Sequence, residues 1–333
     1  MYIDLESVVK GRLEKLQKIN KADAPSRAQR VLSENDILFQ CVRPYQINNY
    51  IFKEFNDKSQ WVASTGYAQL KTKNNNPEYI YHLLNTPNFN RKVMVRCTGS
   101  SYPAINSEDL SKIHFYKSSS IIEQERIAHL LSLLDKRIST QNKIIEKLQS
   151  LIKGLGYSCL NTHSMAGEWV KLGNICRINT GKLDANAMEK GGLYPFFTCA
   201  EKPFKINKYA FDTEALLISG NGANLGYINY YNGRFNAYQR TYVLDAFTKN
   251  IQFVKFALKV FLPQRIFIEK STSNTPYIVL STLSDMKIFI PSESIQRRFV
   301  NLMLNMETKL FVQTSLLADY NRLKSYLLQQ MFI

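Results

Sequence analysis

The sequence contains an internal repeat, and no other feature of it constrains the fold as strongly. Residues 123–138 read EQERIAHLLSLLDKRI, and residues 295–310 read IQRRFVNLMLNMETKL. At one constant offset the charge signs and apolar positions agree, and the clearest matches are Gln124 with Gln296, Arg126 with Arg298, Asp135 with Glu307, Ile138 with Leu310 and Leu155 with Leu327. Agreement of both kinds over such a span predicts a duplicated domain.

The match continues upstream at slightly different offsets. Asn76, Ile80 and Leu84 correspond to Asn250, Val254 and Leu258, and Pro103, Ile105 and Leu110 correspond to Pro276, Ile278 and Leu283. The drift in offset predicts small loop insertions between matching elements, because loops vary while cores do not.

Each copy has the same order of elements. A strand-rich segment comes first (ENDILFQCVRP; TEALLISGNGANLGYINYY), then a short helix (PEYIYHLLNTP; NIQFVKFALKVF), a loop, an apolar edge (LSKIHFY; LSDMKIFIP) and a long helix. The sequence therefore predicts an α+β protein made of two repeated mixed α/β domains, each followed by a long helix. The predicted boundaries are 1–117 for the first domain, 118–156 for its helix, 157–168 for a linker, 169–292 for the second domain and 293–333 for its helix.

The two long helices carry apolar residues at alternating steps of three and four. We expect the first helix to begin near Ile121 and to stop at Gly154 or Gly156, and the second to begin near Glu293. The predicted seams are Ile127, Leu130, Leu134, Ile138, Gln141, Ile145, Leu148, Leu151 or Ile152, and Leu155 in the first helix, and Phe299, Leu302, Met306, Leu310, Gln313, Leu317, Tyr320, Leu323 and Leu327 in the second. This spacing favours a coiled-coil-like spacer over two ordinary core helices.

The composition favours a nucleic-acid partner. The chain has 43 Lys and Arg against 27 Asp and Glu, a net charge of +16, and a basic surface gains affinity for a polyanion by releasing counterions. The alternative is an ordinary protein with a basic surface. The five cysteines are scattered, which indicates reduced thiols and neither disulfides nor a zinc site. Without an apolar signal core or a membrane-spanning stretch, we expect a soluble, cytoplasmic protein.

The chain resembles the specificity subunits of type I restriction–modification systems. The resemblance is carried by Trp169-Val-Lys-Leu-Gly173-Asn-Ile175, by the strand and glycines from Leu216 to Gly226, and by Glu123-Gln124-x-x-Ile127 at the first long helix. It implies two target-recognition domains that each read one half of a split double-stranded DNA sequence. It also implies that the two helices pack as an antiparallel coiled coil on which methyltransferase subunits dock, with restriction subunits joining through the complex.

Two details depend on this resemblance. The first copy has no equivalent of the Trp169–Ile175 segment, and Met1–Asp4 aligns with residues 193–196, so the first domain is predicted to be shortened. If the helices are antiparallel, Gln141 and Gln313 meet at the middle of the seam and can hydrogen-bond each other, which would fix the register.

Two motifs could be mistaken for catalytic sites. The glycine stretch from Ser219 to Gly226 is followed by a strand-like sequence, whereas a phosphate loop needs a helix there. Asn274-Thr-Pro-Tyr277 resembles a methyltransferase tetrapeptide, but its second position is wrong and no S-adenosylmethionine loop precedes it. We therefore expect no catalytic residue, no metal and no cofactor. The alternatives are a standalone DNA methyltransferase or nuclease, and a basic coiled-coil scaffold without sequence preference.

The candidate DNA-binding residues are of two kinds. Some recur in both copies between the short helix and the apolar edge, beside small polar residues that can donate to phosphates. Others differ between the copies and lie in predicted loops, as base-reading residues should if each half reads a different sequence. The full set is Arg43, Lys71, Lys73, Arg91, Arg96, Thr98, Ser100, Ser101, Asn221, Arg234, Tyr238, Gln239, Arg240, Arg265, Lys270, Thr272, Ser273 and Asn274.

Overall fold

The chain folds into two compact units. The computed structural model describes residues 1–53, 59–160, 167–269 and 277–332. Unit 1 consists of Met1–Lys143 with Thr314–Ile333, and unit 2 consists of Ile144–Gln313. Both units combine strands with helices, which confirms the α+β prediction.

Unit 1 contains two three-stranded sheets. Its strands are β1 (Tyr2–Ile3), β2 (Val8–Val9), β3 (Arg12–Leu13), β4 (Ala28–Val31), β5 (Ile37–Gln40), β6 (Tyr50–Ile51), β7 (Val62–Ser64) and β8 (Tyr67–Leu70). The sheets have the orders β1-β7-β4 and β6-β5-β8, and β2 pairs with β3. Successive side chains of β5 point to opposite faces. Ile37 and Phe39 therefore join one apolar cluster and Leu38 another, and the whole strand is buried.

The helices of unit 1 start at side-chain caps. They are α1 (Pro77–Leu84), α2 (Pro87–Met94), α3 (Ser107–Ser111) and the long α4 (Ile121–Leu160), whose residues beyond Lys143 belong to unit 2. The side chains of Asn76 and Thr86 accept hydrogen bonds from the third backbone N–H groups beyond them, and a proline follows each cap. Both features are typical of helix starts.

Unit 2 is built on a six-stranded sheet of order β10-β15-β13-β14-β11-β12. Its strands are β9 (Gly167–Lys171), β10 (Arg177–Thr180), β11 (Tyr194–Phe197), β12 (Phe204–Ile206), β13 (Phe211–Ser219), β14 (Ile228–Ala237), β15 (Thr241–Asp245) and β16 (Lys287–Pro291), and β9 pairs with β16. Its helices are α5 (Ile251–Glu269), α6 (Leu280–Ser284) and the long α7 (Glu293–Gln330), whose last part belongs to unit 1.

Strand registers show the same repeat as the sequence. In unit 1 Ile37 lies opposite Leu70, and in unit 2 Leu216 lies opposite Leu244. In each pair the first residue lies in β5 or β13, the strand that leads into a loop containing proline or glycine. The second residue lies in β8 or β15, the strand that precedes the short helix. The register therefore matches Ile37 with Leu216 and Leu70 with Leu244, and it fixes which residues of the two units correspond.

The first strand of unit 1 needs a correction of alignment. β1 pairs in parallel with β7, as β11 does with β14, so that Ile3 lies opposite Ala63 and Phe197 lies opposite Ala237. Ile3 thus corresponds to Phe197, whereas the sequence comparison had matched it with Pro195. The strands around these residues are short and apolar. The sequence therefore contains no gap or charged position from which the two-residue error in the alignment could be recognised.

The first long helix does not stop at its glycines. α4 continues through Gly154 and Gly156 to Leu160, and β9 begins at Gly167. The predicted linker of 157–168 is therefore too long, and residues 161–166 lie outside the described residues. A Cβ on Gly156 would lie 2.9 Å from Val260 Cγ2, so this glycine allows α4 to pack closely against α5. Glycine here serves packing and does not end the helix.

The apolar seams of the long helices are mostly as predicted, with a shift at matched positions. Leu130 and Leu302, which the sequence placed in the seam, are exposed, and the next residues, Leu131 and Met303, are buried. Leu151 and Leu323 are also exposed at equivalent positions. In unit 1 the Lys324 ammonium pairs with the Asp135 carboxylate, so the last part of α7 lies beside the first half of α4.

Gln141 and Gln313 stay candidates for a register pair. Gln141 is buried and Gln313 is half-buried, so neither side chain lies fully in solvent. The hydrogen bond between their amides remains a prediction.

A histidine is buried beneath α4 in unit 1. His82 of α1 places Nε2 3.3 Å from Ser132 Oγ and Nδ1 4.0 Å from an Asp135 carboxylate oxygen. Burial disfavours the charged imidazolium and lowers the pKa of His82 from 6.5 to about 4, against the opposing effect of Asp135. The corresponding residue of unit 2 is Phe256, which shows that the position is an apolar one.

We expect His82 to make the stability of the protein depend on pH. Between pH 6.5 and 4 the unfolded chain binds a proton at His82 that the folded chain does not. The free energy of unfolding should therefore fall by roughly 3 kcal/mol as the pH is lowered through this range. His82→Phe should remove that part of the pH dependence in urea unfolding. The exposed His129→Phe is the control, and an unchanged pH profile in His82→Phe would refute the assignment.

Candidate nucleic-acid interface

The same backbone arrangement forms the end of the central strand in both units. In unit 1 the Ile105 N–H donates to the Cys41 carbonyl at 3.0 Å, and Val42 forms a β-bridge with Ala104. The loop that precedes Ile105 is thereby held against the residues that follow β5.

Unit 2 repeats this arrangement with different residues. The Ile278 N–H donates to the Gly220 carbonyl at 3.0 Å, and Asn221 forms a β-bridge with Tyr277. Each bond joins corresponding residues, so the duplication has preserved a backbone framework at the strand end. Loops on such a rigid framework are a common location for recognition residues.

In unit 1 this framework holds Arg43 against an exposed tyrosine. The Arg43 N–H donates to the Pro103 carbonyl at 2.8 Å, and its guanidinium carbon lies 4.4 Å from the centroid of the Tyr102 ring. The Tyr102 side chain is 64% exposed. An arginine stacked on an aromatic ring can still donate its N–H groups to an acceptor that lies in the plane of the guanidinium.

The predicted polar loop lies at the same place. Thr98 and Ala104 exchange two backbone hydrogen bonds of 2.9 Å, and Gly99 has a φ of +89°. This hairpin carries the exposed Ser100 and Ser101 at its tip beside Arg43. The structure thus brings together five of the predicted residues or their immediate neighbours: Arg43, Thr98, Ser100, Ser101 and Tyr102.

The backbone of Arg43 is itself unusual. Its φ of +54° is left-handed, a conformation that side chains other than glycine adopt at a cost. The corresponding residue of unit 2 is Gly222, with a φ of +77°. The framework therefore requires a left-handed residue here, and unit 1 accommodates an arginine at the position where glycine would be unstrained.

A concavity of about 730 Å³, lined by both polar and apolar side chains, adjoins Arg43. Gln40 Nε2 donates to Gln46 Oε1 at 2.9 Å, and the Asn48 N–H donates to Gln40 Oε1 at 3.0 Å. These bonds orient amide groups that also line the concavity, and Arg27 lies on its wall. Gln and Asn amides match the edge of adenine, and arginine matches guanine. The sequence analysis missed Arg27, Gln46 and Asn48, although the amide side chains of Gln46, Asn48 and Asn49 were a visible signal.

The other predicted residues of unit 1 lie elsewhere. Lys71 and Lys73 are exposed and follow β8 at the opposite end of β5 from Arg43, because Leu70 pairs with Ile37. Arg91 was predicted between the short helix and the apolar edge, but that segment contains α2, and Arg91 belongs to it. Arg96 is exposed just beyond α2 and donates to the Lys92 carbonyl at 3.0 Å.

In unit 2 three loops meet at the strand end. Cys199 Sγ donates to Asn221 Oδ1 at 3.0 Å, and the Gly220 N–H donates to the Arg240 carbonyl at 2.8 Å. The Gln239 N–H donates to the Leu183 carbonyl at 2.9 Å. Asn221, Gln239 and Arg240 therefore lie together, with Gln239 and Arg240 exposed and the neighbouring Tyr238 half-buried.

Two predicted loop residues of unit 2 are not in loops. Arg234 lies within β14, pairs with Asp212 at 2.9 Å and stacks on Tyr209 at 5.0 Å. Arg265 lies within α5, which runs further than the sequence indicated because Pro263 does not end it. Lys270, Thr272, Ser273 and Asn274 fall outside the described residues.

Of the two motifs weighed as catalytic decoys, only the glycine stretch can be compared with the structure, because Asn274, Thr275 and Pro276 of the tetrapeptide fall outside the described residues. The glycine stretch after β13 leads into β14, as the sequence predicted, and not into a helix. In the described parts of the chain, no three His, Cys, Asp or Glu side chains are grouped to hold a metal ion. None of the helices among the described residues is both long and apolar enough to cross a membrane.

The duplicated α+β unit with a long helix after each copy identifies the chain as a tandem-repeat protein. The family model for the type I restriction modification DNA specificity domain matches residues 8–150 and again residues 167–311. The chain therefore belongs to this family.

Related proteins agree with this assignment. The chain is 43% identical over 131 residues to the EcoDI specificity subunit of Escherichia coli, covering 39% of this chain and 29% of that protein. It is 23% identical over 269 residues to the MjaIX specificity subunit of Methanocaldococcus jannaschii, covering 68% and 61%. The matches thus span less than two thirds of these relatives.

Solved structures share the fold. The S subunit of Mycoplasma genitalium superposes with a TM-score of 0.65 at 18% identity, covering 100% of this chain and 88% of that chain. A chain from work on complex assembly and conformational transition of the type I R-M system gives a TM-score of 0.61 at 19% identity, covering 99% and 90%.

Arg43→Gly should separate folding from DNA binding. The glycine relieves the left-handed strain, so thermal stability should stay the same or rise. Loss of the guanidinium should weaken binding to the host's methylated target sequence by about tenfold. The control is Asn35→Gly, since Asn35 is also left-handed at a φ of +68°. It should leave fluorescence-anisotropy titrations unchanged, and equal affinity in both variants would exclude Arg43.

Proposed function

We propose that this protein is the non-catalytic specificity subunit of a type I restriction–modification complex in the cytoplasm. It binds a bipartite double-stranded DNA target and directs partner methyltransferase and restriction subunits to it. One observation carries the proposal: two units share a strand-end backbone framework but present different side chains on it, Arg43 and Tyr102 in one and Asn221 and Arg240 in the other.

This difference is what a reader of two unlike half-sites requires. Backbone bonds at the strand end set where the loops lie, and the loop side chains determine which base edges they match. The net charge of +16 supplies the nonspecific attraction to phosphates. The division into recognition domains 1–117 and 169–292, with helices after each, is part of the same proposal.

The long helices supply a surface for partner subunits. Leu130 and Leu151 of α4, and the equivalent Leu302 and Leu323 of α7, are exposed although they occupy repeated positions of apolar helices. Exposed leucines that recur in both copies support docking of two similar partners. We assign them to methyltransferase subunits, with restriction subunits joining through these. The antiparallel coiled coil and the Gln141–Gln313 register pair belong to the proposal too.

The proposal predicts that target choice is modular. Replacing residues 169–290 with the matching domain of another family member should change one half of the methylated sequence and leave the other half intact. Methylome sequencing of hosts with the parent and swapped genes measures this directly. A change in both halves, or methylation by the purified chain with S-adenosylmethionine and no partner, would contradict the proposal. A scaffold without sequence preference predicts no shift of motif at all.

The leucine surface can be tested separately. Leu130→Glu with Leu302→Glu should reduce co-purification with methyltransferase subunits by tenfold or more, since each change places a charge in an apolar contact (about 1–3 kcal/mol each). The matched control is Lys136→Glu with Thr308→Glu, exposed positions on the same helices that carry no apolar side chain. Unimpaired assembly of the leucine variant would remove this face from the docking surface.

A further inference from the structure

A thiol and an amide meet at the strand end of unit 2. Cys199, in the loop after β11, donates from Sγ to Asn221 Oδ1 at 3.0 Å, and the same Sγ lies 3.5 Å from the Arg240 carbonyl oxygen. The shorter contact is the one to the amide. Cys199 and Asn221 are both half-buried, so the pair lies at the surface of the unit without being surrounded by solvent.

The direction of this bond determines what Asn221 presents to a ligand. A primary amide carries its acceptor oxygen and its NH₂ group on opposite branches of one planar group. Because Oδ1 accepts from the thiol, Nδ2 is the group that is left for a ligand. Within the described part of the chain, Asn221 Nδ2 donates no hydrogen bond. Asn221 is thus held as a donor.

The charged residue beside it is also a donor. Arg240 is exposed, and its carbonyl accepts from the Gly220 N–H at 2.8 Å, which places it next to Asn221. A guanidinium has five N–H donors and no acceptor. The strand end of unit 2 therefore presents donors from two adjacent side chains. Guanine is the base that offers two acceptors, N7 and O6, in the major groove.

Unit 1 has a leucine at the position of Cys199. Leu5 lies two residues beyond Ile3, as Cys199 lies two residues beyond the counterpart of Ile3 in β11. The contacts agree, because a Cβ on Gly66 would lie 2.8 Å from Leu5 Cδ1. Gly66 precedes β8 as Arg240 precedes β15, and Cys199 contacts the Arg240 carbonyl. A leucine side chain donates no hydrogen bond, so unit 1 has no equivalent of the thiol.

Unit 1 also has an apolar residue at the position of Asn221. Val42 forms the β-bridge that Asn221 forms in unit 2. Val42 and Leu5 both line the concavity of about 730 Å³ in unit 1. Apolar side chains match the methyl group of thymine and offer no donor to a purine. The thiol–amide pair is therefore a feature in which the two units differ, although the backbone framework beneath it is shared.

We propose that Cys199 is a positioning residue that fixes Asn221 as a hydrogen-bond donor, and that unit 2 therefore reads a guanine in its half-site. This inference rests on the proposed function, since it names the base that the recognition surface of unit 2 takes. Arg240 supplies the second donor. Without the thiol, the Asn221 amide can turn over about χ2 and present its oxygen, which matches the amino groups of adenine and cytosine instead.

The loop does not need the thiol to stay in place. The Cys199 carbonyl accepts from Asn224 Nδ2 at 3.0 Å, and the Ala200 N–H donates to Thr198 Oγ1 at 3.3 Å. Neither bond involves the Cys199 side chain. Cys199→Ala therefore releases the Asn221 amide while the bonds that hold the loop remain.

Binding of the full chain to modified duplexes tests the proposal. The duplex is the sequence methylated in the host, and the half-site is the one that the domain swap assigns to residues 169–290. Each guanine of that half-site is replaced in turn by 7-deazaguanine or 6-thioguanine, which remove or weaken the N7 or O6 acceptor. We expect one guanine at which an analogue weakens binding of the parent protein by about tenfold. Cys199→Ala should reduce that loss to about threefold or less, and Cys199→Ser, which keeps an O–H donor, should restore it.

Two further variants separate base reading from a structural role. Asn221→Asp keeps an oxygen for the thiol, but its second oxygen is an acceptor where the parent has a donor. It should weaken binding to the unmodified duplex by about tenfold or more and leave the thermal unfolding midpoint unchanged. The matched control is Cys97→Ala in unit 1, whose Sγ donates to the Val93 carbonyl at 3.4 Å. It should keep the full loss at the analogue.

The outcomes that overturn the proposal differ from those that overturn the proposed function. The proposal fails if the half-site contains no guanine, if the parent tolerates both analogues everywhere, if Cys199→Ala keeps the full loss, or if Cys199→Ser does not restore it. In each case a parent that still prefers its target duplex to a scrambled duplex leaves the proposed function standing. A parent without that preference would refute the proposed function, and this inference with it.

Discussion

A buried glutamine lies at the start of each long helix and bonds to the segment that precedes that helix. The Gln124 side chain is 1% exposed and donates to the Ser118 carbonyl at 2.7 Å and to Asn75 Oδ1 at 3.1 Å. Its Oε1 accepts from the Asn76 N–H at 2.9 Å. A buried amide must be satisfied, because an unpaired polar group costs about 1–3 kcal/mol. One side chain thus ties the long helix to its entry loop and to the cap of the short helix.

Unit 2 keeps the buried glutamine and its bond to the entry of the long helix. Gln296 is also buried, and its Nε2 donates to the Pro291 carbonyl at 2.8 Å. In both units the short helix is capped by an asparagine at the repeated position, Asn76 or Asn250. In both units, therefore, a buried amide bonds to the segment that precedes the long helix, and an asparagine caps the short helix.

The sequence predicted the features that depend on periodicity and failed where packing decides. The repeat, the α+β class and the start of α7 at Glu293 follow from spacing that a helix or strand imposes on its own residues. Whether Leu130 or Leu131 enters the core is decided by a helix rotation of one residue, and both are leucines, so no local signal separates them. Gly156 lies inside a helix, where Val260 packs against it. Since Val260 is remote in sequence, no local signal distinguishes this glycine from one that ends a helix. Arg234 was placed in a loop because the length of β14 depends on its pairing with β13.

Among the candidate site residues, comparison of the two copies identified those that lie in aligned loops. It missed those that reach the site only through tertiary contacts. Comparison of the copies pointed to Thr98, Ser100 and Ser101, which lie beside Arg43. Gln46 and Asn48 come to the site through the Gln40 amide. Unit 2 has Ser219 at the corresponding position, so comparison of the two copies does not point to this contact. A self-comparison therefore finds residues of aligned loops more readily than residues that tertiary contacts bring to the site.

The long helices show how duplicated parts diverge under a fixed physical constraint. Both keep an acid at one repeated position, Asp135 in α4 and Glu307 in α7, and both carboxylates are partly buried. Each needs a cation, because an unpaired charge in such a place is costly. Unit 1 takes it from Lys324 of α7, whereas unit 2 takes it from Lys255 and Lys259 of α5. Burial lowers the pKa of Lys255, and the neighbouring Glu307 carboxylate opposes that shift. What the two copies share is therefore the need for a pair, and the element that supplies the partner has been free to change.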